Sequence, residues 1–316
     1  MLDHLIFSLN ATMPVFLLMV LGFFLHQIGW IDDEFSEKLN KFVFRLPLPV
    51  LVFSQLATTD FVSTWDGRFI LFCFCVTFLS IVIVTLVSFL LKKPKNRGEF
   101  IQASYRSSAA LLGIAYIQNI YGDATMSALM ILGAVPLYNI MAVVVLTITS
   151  DSSNNKDKTQ TIKRTLKGII TNPIIIGIIL GFAFSLLRIP MPAILNKTIS
   201  NIGATAAPLG LLAMGASVKL SEFKGELFPS LIAAFFKLIG LCAVFLPLAV
   251  QFGFRDQKLV AILVMLGSAT TVSSFVMAKS MGHEGTLTSN TVIITTVCSA
   301  FTLTFWIFIA RSFGWI

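Results

Sequence analysis

The sequence is poor in charged residues, and its few acidic residues avoid the apolar runs. Of 316 residues, 12% are charged and 56% are apolar, whereas a typical soluble domain is about 25% charged. All 15 acidic residues fall in loops or at the ends of apolar runs, so we do not expect a central carboxylate that carries protons or binds an ion. The composition predicts an all-α polytopic membrane protein in the cell (plasma) membrane.

Residue patterns of catalytic and metal sites are also missing. The four cysteines lie within apolar runs without a histidine at metal-ligand spacing, which favours packing over redox or metal chemistry. No H-E-x-x-H helix, paired carboxylate or phosphate-binding glycine loop occurs. We therefore expect no enzyme, no cofactor and no metal. The basic excess lies in short loops, where it sets topology, so a nucleic acid is not an expected partner.

Ten apolar runs are long enough to cross the lipid bilayer, since a span needs about 20 residues. Most Lys and Arg residues lie in the loops after odd-numbered spans, which places both termini outside the cytoplasm. The predicted spans are 5–27, 39–56, 69–91, 99–121, 126–150, 168–187, 196–218, 229–252, 257–278 and 290–313.

The chain contains an internal repeat. A basic cytoplasmic linker, 151–167, separates residues 1–150 from residues 168–316, and Pro49 recurs as Pro208 at an offset that other matches share. Five spans are an odd number, so the second copy enters the membrane inverted. Inverted repeats are typical of secondary transporters, whose sites lie at discontinuous helices near the midplane. Pro49 and Pro208 are predicted to bend spans two and seven as hinge or scaffold elements.

Two segments are too polar for their surroundings and occupy matching positions in the two copies. They are Ser107–Gly113 in span four and Gly267–Ala278 in span nine. Irregular polar backbone is tolerated in a membrane only beside a cavity, so both segments are predicted to be interrupted helices that bind substrate. The alternative is a continuous span nine whose hydroxyl groups bond back to carbonyls one turn earlier. The candidate substrate ligands are Ser107, Ser108, Gly113, Ser268, Thr270, Thr271 and Ser273.

Four further polar residues inside the spans are functional candidates. Asn139 in span five is a candidate substrate ligand, although a bond to a neighbouring helix is the favoured role. Arg45 in span two, Arg106 at the start of span four and Lys237 in span eight are candidates for attracting an anion. Each of these cations could instead extend to the membrane interface.

Four stretches carry a family resemblance. They are Leu39–Phe53 (LNKFVFRLPLPVLVF), Gly133–Met141 (GAVPLYNIM), Ser273–Gly282 (SSFVMAKSMG) and Thr291–Leu303 (TVIITTVCSAFTL). With them the chain resembles a bacterial member of the auxin efflux carrier family, which includes PIN carriers and malate permease-like proteins.

The resemblance implies a bile-acid-symporter-like or PIN-like fold of ten transmembrane helices in two inverted five-helix repeats. It also implies a crossover of broken spans four and nine, a scaffold of spans one, two, six and seven, and a transport domain of spans three to five and eight to ten. Ala115 and Ala269 stand where relatives often carry proline.

The leading hypothesis is a secondary active transporter of a small organic anion, such as a dicarboxylate or an auxin-like carboxylate, working by elevator-type alternating access. A homodimer through the scaffold spans is a further expectation. The competing hypotheses are a non-transporting sensor or scaffold that retains the fold, and a channel. Without carboxylates in the spans, coupling to protons or to the membrane potential is favoured over coupling to sodium.

Overall fold

The computed structural model describes residues 17–58, 66–109, 116–117, 120–121, 125–150, 170–216 and 226–316. Each regular element in these ranges is helical, so the predicted all-α fold is confirmed. Within these ranges, five continuous helical stretches are long and apolar enough to cross a membrane. Gly113 and the linker 151–167 lie outside the described residues.

The helices are numbered here in chain order. They are α1 (Leu17–Gln27), α2 (Asp33–Arg45), α3 (Pro47–Ala57), α4 (Gly67–Ser88), α5 (Arg97–Tyr105), α6 (Thr125–Thr149), α7 (Pro173–Leu186), α8 (Ala193–Ala204), α9 (Ala206–Ala216), α10 (Leu227–Phe235), α11 (Leu241–Gln251), α12 (Asp256–Gly267), α13 (Val272–Ser280) and α14 (Thr286–Ser312). A short 3-10 turn, Pro94–Asn96, precedes α5, and a π-helical turn, Phe236–Gly240, joins α10 to α11.

Spans two and seven are each divided into two helices. The breaks lie at Leu46, between α2 and α3, and at Thr205, between α8 and α9. These positions are 159 residues apart, which is the spacing of Pro49 and Pro208. Each proline is the third residue of the second helix. An N–H at this position has no acceptor within its own helix, so the proline removes no helical hydrogen bond. The sequence therefore located both bends, but each break lies three residues before its proline.

The helices pack in two groups. In the first group α3 packs against α7 and α8, and α2 packs against α9. In the second group α4, α5, α6, α11, α12 and α14 pack around a shared apolar core, and α10 packs against α5 and α14. The helix α13 contacts α2 and α9 of the first group and also α5, α6 and α14 of the second. It therefore lies between the groups. The division into a scaffold and a transport domain stays a prediction.

The close approach of α7 to α3 depends on glycine. A Cβ atom added to Gly177 would lie 2.6 Å from the carbonyl oxygen of Pro49, and one added to Gly181 would lie 2.8 Å from Cβ of Leu56. Helices in membranes lack a hydrophobic driving force between them and rely on such close backbone packing. The Gly177 and Gly181 pair therefore allows the close packing of α7 on α3.

We expect Gly177→Leu to lower the melting temperature of the purified protein, because its Cβ would collide with backbone that cannot move aside. Overpacking of this kind costs about 1 to 3 kcal/mol. The matched control is Leu180→Ala on the same helix, since Leu180 is 48% exposed. Equal melting temperatures for Gly177→Leu and the parent protein, measured in detergent, would contradict this packing.

Candidate functional site

Two helices end where spans four and nine meet. The helix α5 stops at Tyr105, and Arg106 has extended backbone with a ψ of 122°. The helix α12 stops at Gly267, and Ser268 is likewise extended with a ψ of 163°. The chain becomes helical again at Val272, where α13 begins. Spans four and nine are thus both interrupted, and the alternative of a continuous span nine is wrong.

The predicted interruption Gly267–Ala278 was too long, because Val272–Ala278 is helical in α13. The interruption of span four begins at Arg106, one residue before the predicted segment.

The two extended segments cross and bond to each other. Ser107 pairs with Thr270 in an antiparallel bridge, and the backbone N–H of Ser108 donates to the carbonyl of Ala269 at 2.9 Å. The N–H of Thr270 donates to Oγ1 of Thr295 on α14 at 3.0 Å. We call Arg106–Ser108 together with Ser268–Thr271 the crossover. These bonds hold span nine open without a proline in Ser268–Thr271.

Side-chain bonds fix α5 against α13 on one side of the crossover. Oγ1 of Thr270 donates to the carbonyl of Ala103 at 2.8 Å. Nε2 of Gln102 donates to the carbonyl of Ser274 at 2.9 Å. Both acceptors lie on the half-helices that flank the crossover, so Thr270 acts as a structural bond donor at this point. Its predicted role as a substrate ligand is untested.

Glu99 anchors the far end of α5 and was not singled out from the sequence. Its carboxylate is buried and accepts the backbone N–H groups of Gly285 at 2.8 Å and Thr288 at 3.0 Å. The hydroxyl of Thr288 donates to the same carboxylate at 3.0 Å. These N–H groups belong to the start of α14, where a negative charge is favourable. The sequence alone showed that Glu99 lies at the end of a span. It could not show the bonding role of Glu99, because the partners lie far along the chain.

Arg106 lies at the centre of the site and points toward α13. It is 2% exposed. Its Nη2 donates to Oδ1 of Asn139 at 2.8 Å and to Oγ of Ser273 at 3.1 Å, while Nη1 contacts the sulfur of Met277. Ser273 also bonds the hydroxyl of Thr271 at 3.1 Å. The structure thus brings four of the predicted residues together: Arg106, Asn139, Thr271 and Ser273.

The guanidinium of Arg106 lacks a negative partner in the described part of the chain. None of the ion pairs among these residues includes it, and its Nε has no hydrogen-bond partner there. The start of α13, which carries Ser273, has no side-chain cap on its N–H groups. A helix N-terminus is partially positive. The guanidinium of Arg106 and the N-terminus of α13 therefore both place positive charge near Ser273. The arrangement is suited to binding an anion.

The other predicted residues are placed differently. Ser107 and Lys237 bond to each other on the side of the crossover where α12 ends. Ser268 is fully buried, and its hydroxyl has no partner among the described residues. Arg45 is exposed at the end of α2, away from these contacts, and Pro208 is exposed as well. Ser108 contributes its backbone N–H, as described above, and Pro49 packs against Gly177.

A cleft of about 460 Å³ lies beside α5, between the ends of α4 and α6. Its lining includes Ser88, Lys95, Arg97 and Ile101. Ile101 precedes Arg106 by five residues, about 7 Å along a helix axis at 1.5 Å per residue. The cleft therefore brings basic side chains next to the half-helix that leads to the buried guanidinium.

Comparisons with known proteins agree with this architecture. The family described as membrane transport protein matches residues 7–307. A protein of Rhizobium meliloti (strain 1021) named "Putative malonate transporter" is 26% identical over 322 residues, covering 96% of each chain. An uncharacterized transporter of Methanocaldococcus jannaschii is 21% identical over 316 residues, covering 98% of each.

A solved structure shares the fold. The sodium proton antiporter MjNhaP1 from Methanocaldococcus jannaschii superposes with a TM-score of 0.63 at 14% identity, over 94% of this chain and 97% of that one. At this identity the likeness shows the fold alone.

Single cysteines along 267–275 should report the broken geometry. We expect Thr271→Cys and Ser273→Cys to react with a small polar thiol reagent, because both positions are only half-buried. Ser268→Cys, Thr270→Cys and Ser274→Cys should react slowly, because these side chains are at most 2% exposed. Mass spectrometry of the modified protein measures each rate. Reaction rates that repeat about every 3.6 residues would indicate a continuous helix instead.

Proposed function

Because the chain belongs to the membrane transport protein family, the auxin efflux carrier family that its sequence resembles, we propose that it carries a small organic anion across the membrane. Carriage is by secondary active transport, and the cargo is a carboxylate, such as a dicarboxylate or an auxin-like monocarboxylate. The observation that supports this cargo is Arg106, a buried guanidinium without a carboxylate partner in the described part of the chain.

A carboxylate fits the bonding that Arg106 leaves open. A buried cation is costly unless a negative group and well-placed hydrogen bonds compensate it. The Nη1 group of Arg106 now donates to the thioether sulfur of Met277, which is a weak acceptor. A carboxylate oxygen would replace that contact with a charge-assisted bond. The uncapped N–H groups at Thr271–Ser273 and the two hydroxyl groups there would bind the second oxygen.

The name of one relative gives the first compound to test. Malonate, the compound in the name of the Rhizobium meliloti relative, is a small dicarboxylate. The second carboxylate of such a compound would need a further positive or hydrogen-bonding group. Lys95 and Arg97 line the cleft beside α5, where Lys95 pairs with Glu284. Arg97 precedes Arg106 by nine residues, about 13 Å along a helix axis at 1.5 Å per residue. These two cations therefore add positive charge at the cleft and do not bind malonate together with Arg106.

Movement by an elevator mechanism is supported by the place of α13 between the two packing groups. A Cβ atom added to Gly210 on α9 would lie 3.2 Å from the side chain of Val272 and 3.3 Å from that of Val276. At this point the contact between α9 and α13 is therefore apolar, and no side chain of α9 projects into it. Such a surface can slide without breaking hydrogen bonds, which lets the second group carry the site past the first.

The competing functions predict different outcomes in one assay. A carrier gives saturable uptake and counterflow in proteoliposomes. A channel gives flux that does not saturate and shows no counterflow. A sensor or scaffold that retains the fold binds the anion without flux.

Replacing Arg106 should strongly reduce anion uptake. We expect Arg106→Gln to lower malonate uptake into proteoliposomes by about tenfold or more, since losing one partner of a buried charge pair costs about 2 to 5 kcal/mol. Arg106→Lys should restore part of the uptake, because a lysine keeps the charge but loses the planar fork. The control is Arg45→Gln, which removes an exposed arginine. Full uptake by folded Arg106→Gln, for each acid in a panel, would rule out this site.

Blocking the contact between α9 and α13 should stop transport without removing binding. We expect Gly210→Leu to suppress uptake while malonate still raises the melting temperature, because the larger side chain would press against Val272 and Val276 and block movement of α13 along α9. Ala204→Leu, at an exposed position on α8, is the matched control. Normal uptake by Gly210→Leu would argue against sliding at this surface.

A further inference from the structure

Lys237 is a buried cation that the proposed anion site does not use. It lies in the π-helical turn Phe236–Gly240 and is fully buried. Its Nζ donates to the backbone carbonyl of Leu266 and to the hydroxyl of Ser107. None of the ion pairs in the described ranges includes Lys237. Interfacial extension, the alternative considered from sequence, does not describe a side chain bonded at the crossover.

The oxygens around Lys237 are those that the break in span nine sets free. In an unbroken helix the carbonyl of Leu266 would accept the N–H of Thr270, but that N–H bonds to Thr295 instead. The carbonyl of Met265 accepts the hydroxyl groups of Ser107 and of Tyr138, the latter at 3.0 Å. The last carbonyls of a helix lack intrahelical partners and are partially negative. Lys237 therefore lies where α12 presents its negative end.

Unwound carbonyls and hydroxyl oxygens at a broken helix are the groups that coordinate alkali cations in carriers. Here an ammonium group takes that place, and the side chain holds it there permanently. We propose that Lys237 is a tethered cation, which replaces an exchangeable monovalent cation at the end of α12. The hydrogen bonds of the crossover then form without a bound sodium ion. The proposal concerns the crossover and stands whatever the cargo is.

The test measures the melting temperature of the full-length protein in detergent, without substrate. For the parent protein, replacing choline chloride by sodium chloride at constant ionic strength should give no saturable shift. Lys237→Ala should melt lower, because it removes the cation and leaves the oxygens without a donor. Propylammonium matches the atoms that this substitution removes and should raise the melting temperature of Lys237→Ala saturably.

Two controls separate charge from packing. Propanol has nearly the size of propylammonium but carries no charge, so it should stabilise Lys237→Ala much less. Lys197→Ala, at an exposed position, should be unaffected by either compound. The proposal is overturned if sodium stabilises the parent protein saturably, if propanol works as well as propylammonium, or if neither compound has an effect.

A second variant covers the case in which Lys237→Ala does not fold. Lys237→Met keeps most of the volume and removes the charge, and we expect it to melt clearly below the parent protein. A Lys237→Met variant as stable as the parent would overturn the proposal. Uptake of malonate by the parent protein should also be equal in sodium and in choline at constant pH. Because melting is measured without cargo, a chain that transports no tested acid can still pass or fail this test.

Discussion

Hydrocarbon supplies no hydrogen-bond partners, so the extended backbone of the crossover must find its partners inside the protein. The N–H of Ser108 finds the carbonyl of Ala269, and Thr270 bonds to Ala103 and Thr295. Each of these bonds joins segments that are distant in sequence or belong to different helices. They fix how α5, α12 and α13 lie relative to one another, and with them the position of Arg106.

The two buried cations of the crossover meet helix ends of opposite sign. Lys237 lies against the carboxyl end of α12, where the helix dipole favours a positive charge. Arg106 bonds Ser273 at the amino end of α13, where the same kind of dipole opposes a positive charge. One cation is therefore compensated by the protein, whereas the other benefits from an added anion. This difference is why we assign a structural role to Lys237 and cargo binding to Arg106.

The sequence predicted where the chain breaks better than what each side chain does there. Small and hydroxyl residues in the apolar runs located the start of each interruption in spans four and nine to within one residue, and the prolines located the bends of spans two and seven to within three residues. The roles of neighbouring hydroxyl groups could not be predicted, because an extended segment alternates its side chains and the crossing partner decides which one meets a carbonyl. Thr270 thus bonds to Ala103, whereas the buried hydroxyl of Ser268 has no partner among the described residues.

Long-range contacts account for the remaining differences between the sequence analysis and the structure. The bond of Lys237 to Leu266 and the capping of α14 by Glu99 join residues that are far apart in the chain. Neither contact leaves a local pattern such as a capping box. The proposed anion site was only partly predicted, since Arg106 was one of three candidate cations, together with Lys237 and the exposed Arg45.

The bond between Ser108 and Ala269 has a consequence for biosynthesis. The partner of the Ser108 N–H lies about 160 residues later in the chain, so at roughly 5 to 20 residues per second the ribosome makes it about 8 to 32 s afterwards. During that interval an extended Arg106–Ser108 segment would hold an unsatisfied N–H in the bilayer. Since no proline lies within Arg106–Ser108, the nascent segment is free to enter as ordinary helix. It would then unwind when the second half inserts, which makes the crossover a late product of assembly.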